Sequence, residues 1–189
     1  MCSSDLGSHF NYRERYPETA AFFLPDFPVD AEVKYKDNLM NAYDNSIRYT
    51  DNFLARIIHL LKQQQVDASM LYTSDHGEDI FDDGRHLFLH ASPVPSYYQL
   101  HVPLLLWTSD SYREEYPGIE KAASMNRQKN ISSSISFFQT MMELAGIETP
   151  YRNDSLSVTS PLYTEKSRFY LNDHNEPHPL DDKIGRAHV

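Results

Sequence analysis

Cysteine is nearly absent from this sequence. Cys2 is the only one in 189 residues, so no disulfide can form within the chain and a cystine-stapled fold is excluded. Long apolar runs are missing too. The longest, VPLLLW at residues 102–107, is far short of the roughly 20 residues that span a bilayer. The opening MCSSDL carries no apolar stretch of the secretory-signal type. Basic charge is also scarce. Seventeen Lys and Arg face 27 Asp and Glu, a formal net charge of -10. That balance argues against sequence-independent phosphate-backbone binding, which needs clustered cations, so no nucleic-acid partner is expected. An acidic substrate held through a metal stays compatible with it. No internal repeat and no low-complexity tract interrupts the chain.

Aromatic residues are plentiful. Thirteen Tyr and ten Phe, in a composition 40% hydrophobic, are enough for one domain with a core. Both ends break this texture: MCSSDL and the closing IGRAHV join their neighbours abruptly. Residues 1–6 and 184–189 are therefore expected to be foreign to a domain that occupies 7–182.

Apolar periodicity sets the expected elements. Leu39, Tyr43, Ile47, Leu54, Ile57, Ile58 and Leu61 recur at helical spacings, predicting a helix over 36–64. Thr50 or Asp51 would cap a second segment, so one kinked helix and two helices both fit. Residues 67–74 read as a strand, half of a βαβ unit with the helix before it. Residues 101–107 read as a buried strand, because the run is continuously apolar. Residues 112–118 read as loop. A helix is expected over 131–145, packing through Phe137, Phe138, Met141, Met142, Leu144 and Ala145 and capped by Gly146. Residues 168–171 read as a last short strand. Helices alternating with apolar strands indicate an α/β sandwich, in which ligands sit beyond the carboxyl ends of strands.

Asp75 and His76 stand at such an end, in SMLYTSDHGEDIF at 69–81. A carboxylate followed by an imidazole suits zinc, with manganese second. Neighbouring residues on a strand face opposite ways, so both can reach one ion only once the strand has ended. Gly77 makes that turn cheap if it takes positive φ. Glu78 can then fold back to orient His76 or a water. A plain turn with a surface histidine is the alternative, but His76, His86, His90 and His101 crowd into 26 positions. Of His86 and His90 at most one is expected to function, and His101 reads as structural. DIFDDG fails the calcium-loop spacing, because Phe81 sits where an acidic ligand is required. Asn130 and Asn153 begin glycosylation triplets that arise easily by chance. His9 lies in a loop with Arg13, Arg15 and Tyr16, a set able to hold a phosphate or carboxylate. No activated serine or cysteine nucleophile is recognisable.

These segments resemble a known family. YTSDHGED is similar to the Ser-Asp-His-Gly-Glu motif of the phosphoethanolamine transferases that modify lipid A and core lipopolysaccharide, within the alkaline phosphatase and sulfatase superfamily. GSHFNYRERYP, NAYDNSIRYTDNFLARIIHLLK, FLHASPVPSYYQLHVPLLLW and ISFFQTMMELAGIETPY resemble further blocks of that family in the same order. The resemblance implies an alkaline phosphatase/sulfatase-like α/β sandwich, a central sheet flanked by helices, of which this chain is the C-terminal part. It implies zinc bound by Asp75 and His76 together with a Glu and a nucleophilic Thr that have no counterpart here. His9 and His90 match histidines that bind the phosphoethanolamine phosphate or a second zinc, and Glu78 matches the acidic residue that supports the ligands. The donor would be phosphatidylethanolamine and the acceptor lipid A or another envelope glycan or lipid. A missing N-terminal anchor would hold the domain on the periplasmic face of the bacterial inner membrane. Two departures stand out: the family often carries several disulfides, and DIFDDGR is unusually acidic. A sulfatase or phosphoglycerol transferase of the same superfamily is the competing enzyme, and a metal-binding fragment without chemistry the competing non-enzyme.

Overall fold

A computed structural model describes residues 11–90, 92–172 and 174–180. The described chain forms, in order, α1 (Lys36–Gln64), β1 (Ser69–Thr73), β2 (Asp79–Ile80), β3 (Phe88–Leu89), α2 (Tyr97–Leu100) and β4 (Leu104–Thr108). α3 (Asp110–Glu115), α4 (Pro117–Asn126), α5 (Ser133–Leu144), β5 (Phe169–Leu171) and β6 (Pro177–Pro179) follow.

α1 is one continuous helix of 29 residues, which settles the choice between one segment and two. No Gly or Pro interrupts it. Thr50 caps nothing: its hydroxyl donates back to Ser46 O at 3.1 Å, the mid-helix alternative to capping. The helix ends where Gln65 takes a positive φ of 53°.

Two compact units divide the chain. The first comprises Met1–Ile57, Ser74–Val102 and Tyr170–Val189. Its core joins Tyr12, Leu39 and Ala42 to Ile80 and Phe81. A buried polar knot lies in the same unit. Asn45, fully buried, accepts the backbone N–H groups of Phe22 and Phe23 at 2.9 Å each and donates to Phe23 O at 2.9 Å. Tyr16 donates to Asp26 at 2.7 Å. Burial, and then that bond, push the Tyr16 pKa up to about 12.

The second unit comprises Ile58–Thr73 and Pro103–Phe169. β1 and β4 pair antiparallel, Ser69 opposite Thr108 and Thr73 opposite Leu104. Among the described residues the sheets are two-stranded, β1–β4, β2–β3 and β5–β6, with no parallel βαβ pair.

The second apolar strand starts at Leu104, not His101. Ser96 accepts from Gln99 N–H and winds residues 97–100 into one helical turn instead. Leu105, at 38% exposed, is not the buried residue that a continuous apolar run suggests. The expected loop at 112–118 is helical. Ser109 caps α3 by accepting from Tyr112 N–H, and Pro117 begins α4, where its missing N–H costs nothing. α5 matches its expected span but buries Ser136, Thr140 and Leu144, whereas Phe138 and Met141 are exposed. Thr140 explains the inversion: its hydroxyl donates to Ser136 O at 2.7 Å and accepts Val158 N–H at 3.0 Å. Gly146, at φ +63°, closes the helix as expected. Ile147 N–H reaches Met142 O at 2.9 Å and Gly146 N–H reaches Glu143 O at 3.0 Å, the paired bonds of a left-handed C-terminal cap.

Candidate metal centre

Three short pieces of the first unit build the site: the loop 74–78 after β1, the β2–β3 hairpin, and α2. The hairpin register pairs Asp79 with Leu89 and Ile80 with Phe88. Continued one step, it sets Glu78 opposite His90. Acidic residues make the turn that allows this. Asp82 accepts Ile80 N–H at 2.6 Å, and Asp83 accepts Arg85 N–H at 2.8 Å and its guanidinium at 2.7 Å. The acidity of DIFDDGR is thus spent on a tight reversal, not on a calcium ion. Leu89 pays with a φ of +64°, costing a bulky residue about 1 kcal/mol directly before His90.

α2 clamps the loop from the other side. Gly77 N–H donates to Gln99 O at 2.8 Å, and the Gln99 side chain donates to the buried Asp79 carboxylate. Gly77 is required here for a reason the sequence did not suggest. Its φ is not in the positive region, which among the described glycines only Gly146 occupies. A Cβ at Gly77 would collide with Tyr98 O, so close backbone approach selects glycine.

Asp75, His76, Glu78 and His90 come together; His86 does not. Asp75 Oδ2 lies 3.9 Å from His76 Nε2. Two zinc bonds of about 2.1 Å at the tetrahedral angle set their donor atoms about 3.4 Å apart, so this pair would close by about 0.5 Å to share one ion. His76 Nδ1 is 3.0 Å from Gly77 O, which directs Nε2 to the Asp75 side when Nδ1 carries the proton. His90 Nδ1 lies 3.2 Å from Glu78 Oε1, and the His76 and His90 rings are 3.8 Å apart with a 32° tilt. His76, Glu78 and His90 also form a second donor set, with one ligand atom from each within 4.8 Å of the others. His86 is exposed and its N–H bonds to Asp83 O. His101 hydrogen-bonds Tyr97 Oη at 2.7 Å. His9 lies outside the described residues.

Burial pushes the Glu78 pKa up to about 7; the charges of Asp79 and Asp75 push the same way, and His76 opposes them. Burial first, and then His76, lower that of His90. The metal-free folded chain therefore holds a proton on Glu78 that the unfolded chain, at its ordinary 4.5, has released. Stability from this group is full below about pH 4.5 and is lost as pH rises through about 7. Denaturant unfolding of the metal-free chain should show a fall of up to about 3 kcal/mol across that window, and Glu78→Gln should flatten it. An unchanged slope in Glu78→Gln would assign the fall to other groups.

Sequence reading missed Gln99, Asp79 and the α2 turn as parts of this site. Only the Ser96 cap signal before Tyr97 hinted at that turn.

The family model that matches is Sulfatase, over residues 4–147. The chain is 34% identical over 152 residues to phosphoethanolamine transferase EptA of Escherichia coli strain K12, covering 77% of this chain and 27% of that one. It is 31% identical over 150 residues to the same strain's Kdo(2)-lipid A phosphoethanolamine 7''-transferase, covering 76% and 26%. Its fold is similar to the C-terminal periplasmic domain of EptC from Escherichia coli, with a TM-score of 0.78 at 26% identity, covering 94% of this chain and 50% of that chain. The chain thus spans about a quarter of the length of the curated relatives it matches. No helix among the described residues is long and apolar enough to cross a membrane.

Proposed function

We propose, from the premise that this chain belongs to the sulfatase family, that it forms the C-terminal part of a phosphoethanolamine transferase catalytic domain. The single observation that carries the reading is the Asp75–His76 pair, set 3.9 Å apart at the end of β1, in a chain whose relatives bear that enzyme name. The transferred group would come from phosphatidylethanolamine and pass to lipid A or another envelope glycan or lipid. A threonine outside these residues would carry it between the two. The domain would face the periplasm behind a membrane anchor that these residues do not include.

Asp75 Oδ2 and His76 Nε2 would hold the metal, with further ligands from outside the chain. An oxygen and a nitrogen donor suit zinc better than manganese. The ion, when bound, supplies positive charge for phosphate oxygens and lowers the pKa of a coordinated hydroxyl. Glu78 holds the His90 ring through Nδ1 at 3.2 Å, so that Nε2 is the nitrogen to meet a phosphate oxygen. His9 joins it in that role by family resemblance. Burial first, and then His76, lower the pKa of His90, whose ring lies 3.8 Å from that of His76.

The mutual approach of His76, Glu78 and His90 favours a second reading, in which these three hold the ion directly and Asp75 does not. A sulfatase or a phosphoglycerol transferase would use the same pair of residues with a different nucleophile or donor.

The test is transfer by the whole protein that carries these residues, read by mass spectrometry of lipid A from cells expressing it. The wild type should add phosphoethanolamine, and Asp75→Ala should abolish the addition. Transfer that survives Asp75→Ala at the wild-type level would refute the assignment.

A further inference from the structure

Glu78 borders more than the histidine cluster. A cavity of about 260 Å³ opens beside it, walled by Tyr43, Tyr97 and Tyr98 and by Asp44, Glu78 and Asp82. Tyr97 and Tyr98 meet at 83°, centroids 5.9 Å apart, so two ring planes form a corner. No lysine or arginine lines the cavity; its one basic side chain, His101, is stacked on Tyr97 at 4.6 Å and hydrogen-bonded to Tyr97 Oη. Lys36 is engaged elsewhere, donating to Phe81 O at 2.8 Å. Burial raises the pKa of Asp44. Tyr12, 1% exposed, packs edge-on to Tyr43 at 5.3 Å. Its buried hydroxyl has no hydrogen-bond partner among the described residues. Burial first, and then Glu78, Tyr43 and Asp82, drive its pKa far up.

Phenol rings and carboxylates with no lysine or arginine among them make an environment for a cation. The choice between a metal ion and an organic cation follows from spacing. Among the described residues the donor atoms that converge on one point are those of His76, Glu78 and His90, and neither Asp44 nor Asp82 joins them. The acids are spread around the cavity instead of closing on one ion. Its volume lies just below the roughly 300–1,000 Å³ of drug-sized sites, which suits a small headgroup and not a glycolipid. Carboxylate and phenol oxygens are also what a primary ammonium needs, because it donates three hydrogen bonds. A quaternary ammonium donates none and would leave them unsatisfied.

We propose that this cavity binds a primary ammonium, the amine end of a phosphoethanolamine unit whose phosphate is handled at the adjoining metal and histidine site. The inference rests on the transferase reading for the identity of the ligand, but the cavity's selectivity can be measured without it.

Calorimetric titration of the chain with ethanolamine, choline and inorganic phosphate tests it, with zinc and without. Ethanolamine should bind in both conditions, and choline about tenfold more weakly or less, the scale of lost hydrogen bonds to charged groups. Asp44→Asn, nearly isosteric, should weaken ethanolamine about tenfold and leave zinc affinity unchanged. Tyr98→Ala, at a residue already 36% exposed, should weaken it too, with an unchanged circular dichroism spectrum. Equal binding of ethanolamine and choline, or no loss in both variants, would overturn the proposal. If zinc binding depends on Asp75 while ethanolamine shows no selectivity, the cavity assignment fails and the transferase reading stands. If ethanolamine is selected but Asp75→Ala leaves lipid A modification intact, the reverse holds. Vesicles of phosphatidylethanolamine in phosphatidylglycerol, set against free phosphoethanolamine, then separate the sources. Tighter binding to the vesicles identifies a lipid headgroup and equal binding a free one, and either supports an ammonium site.

Discussion

Gly77→Ala is expected to destabilise the chain by about 3 kcal/mol and to abolish metal binding at the loop. The added Cβ would fall well inside van der Waals contact distance of Tyr98 O and 3.1 Å from its carbonyl carbon. Both are backbone atoms of α2, so no flexible side chain can yield. Overpacking of this kind costs about 1–3 kcal/mol and sometimes more. The Gly77 N–H to Gln99 O bond at 2.8 Å would part as the loop moves away. Asp75, His76 and Glu78 all ride on that loop, so their mutual distances would change with it. Gly84→Ala is the control. A Cβ there meets nothing within 4 Å, and its effect should stay within about 0.5 kcal/mol. Denaturant midpoints and zinc calorimetry on the two variants decide the matter. Equal stabilities would mean that α2 does not clamp the loop.

Much of this architecture was legible in the residues. The span of α1 followed from its apolar spacing, and the Gly146 cap from a glycine at the end of an apolar helix. The end of β1 at an Asp-His-Gly turn was visible because an apolar strand stops against charged groups. Direction of pairing was not visible: LLLW reads the same beside a parallel or an antiparallel neighbour, and β1–β4 proved antiparallel. The buried side of α5 was misread because the Thr140 hydroxyl, polar in isolation, donates to the Ser136 backbone carbonyl and accepts Val158 N–H within the fold. Gly77 was expected to turn through positive φ. The true requirement, proximity to Tyr98, joins residues 21 positions apart and leaves no local mark. His90 reached Glu78 through the register of a two-residue hairpin, which no periodicity test detects. The aromatic and acidic wall beside Glu78 likewise collects Tyr43, Asp82 and Tyr98 from separate segments.

The largest effect on affinity is expected at Asp75 and His76. If these two hold zinc, alanine at either position should cost more than the roughly 10–100-fold that outer partners of a metal site cost. Glu78 and His90 would then stand behind or beside the ion, so His90→Ala should lower affinity by no more than that range. Asp75 is half-exposed, so its loss should leave folding intact and report on the metal alone. Glu78 is different. Its side chain is 3% exposed, and Glu78→Gln alters the loop's protonation as well as its contacts.

Zinc calorimetry on the wild type, Asp75→Ala and His90→Ala, each shown to be folded by circular dichroism, therefore tests the central claim most directly. An ion held by Asp75 and His76 predicts binding by the wild type and by His90→Ala, and none by Asp75→Ala. Binding retained in Asp75→Ala and lost in His90→Ala would contradict it, and would place the ion among His76, Glu78 and His90.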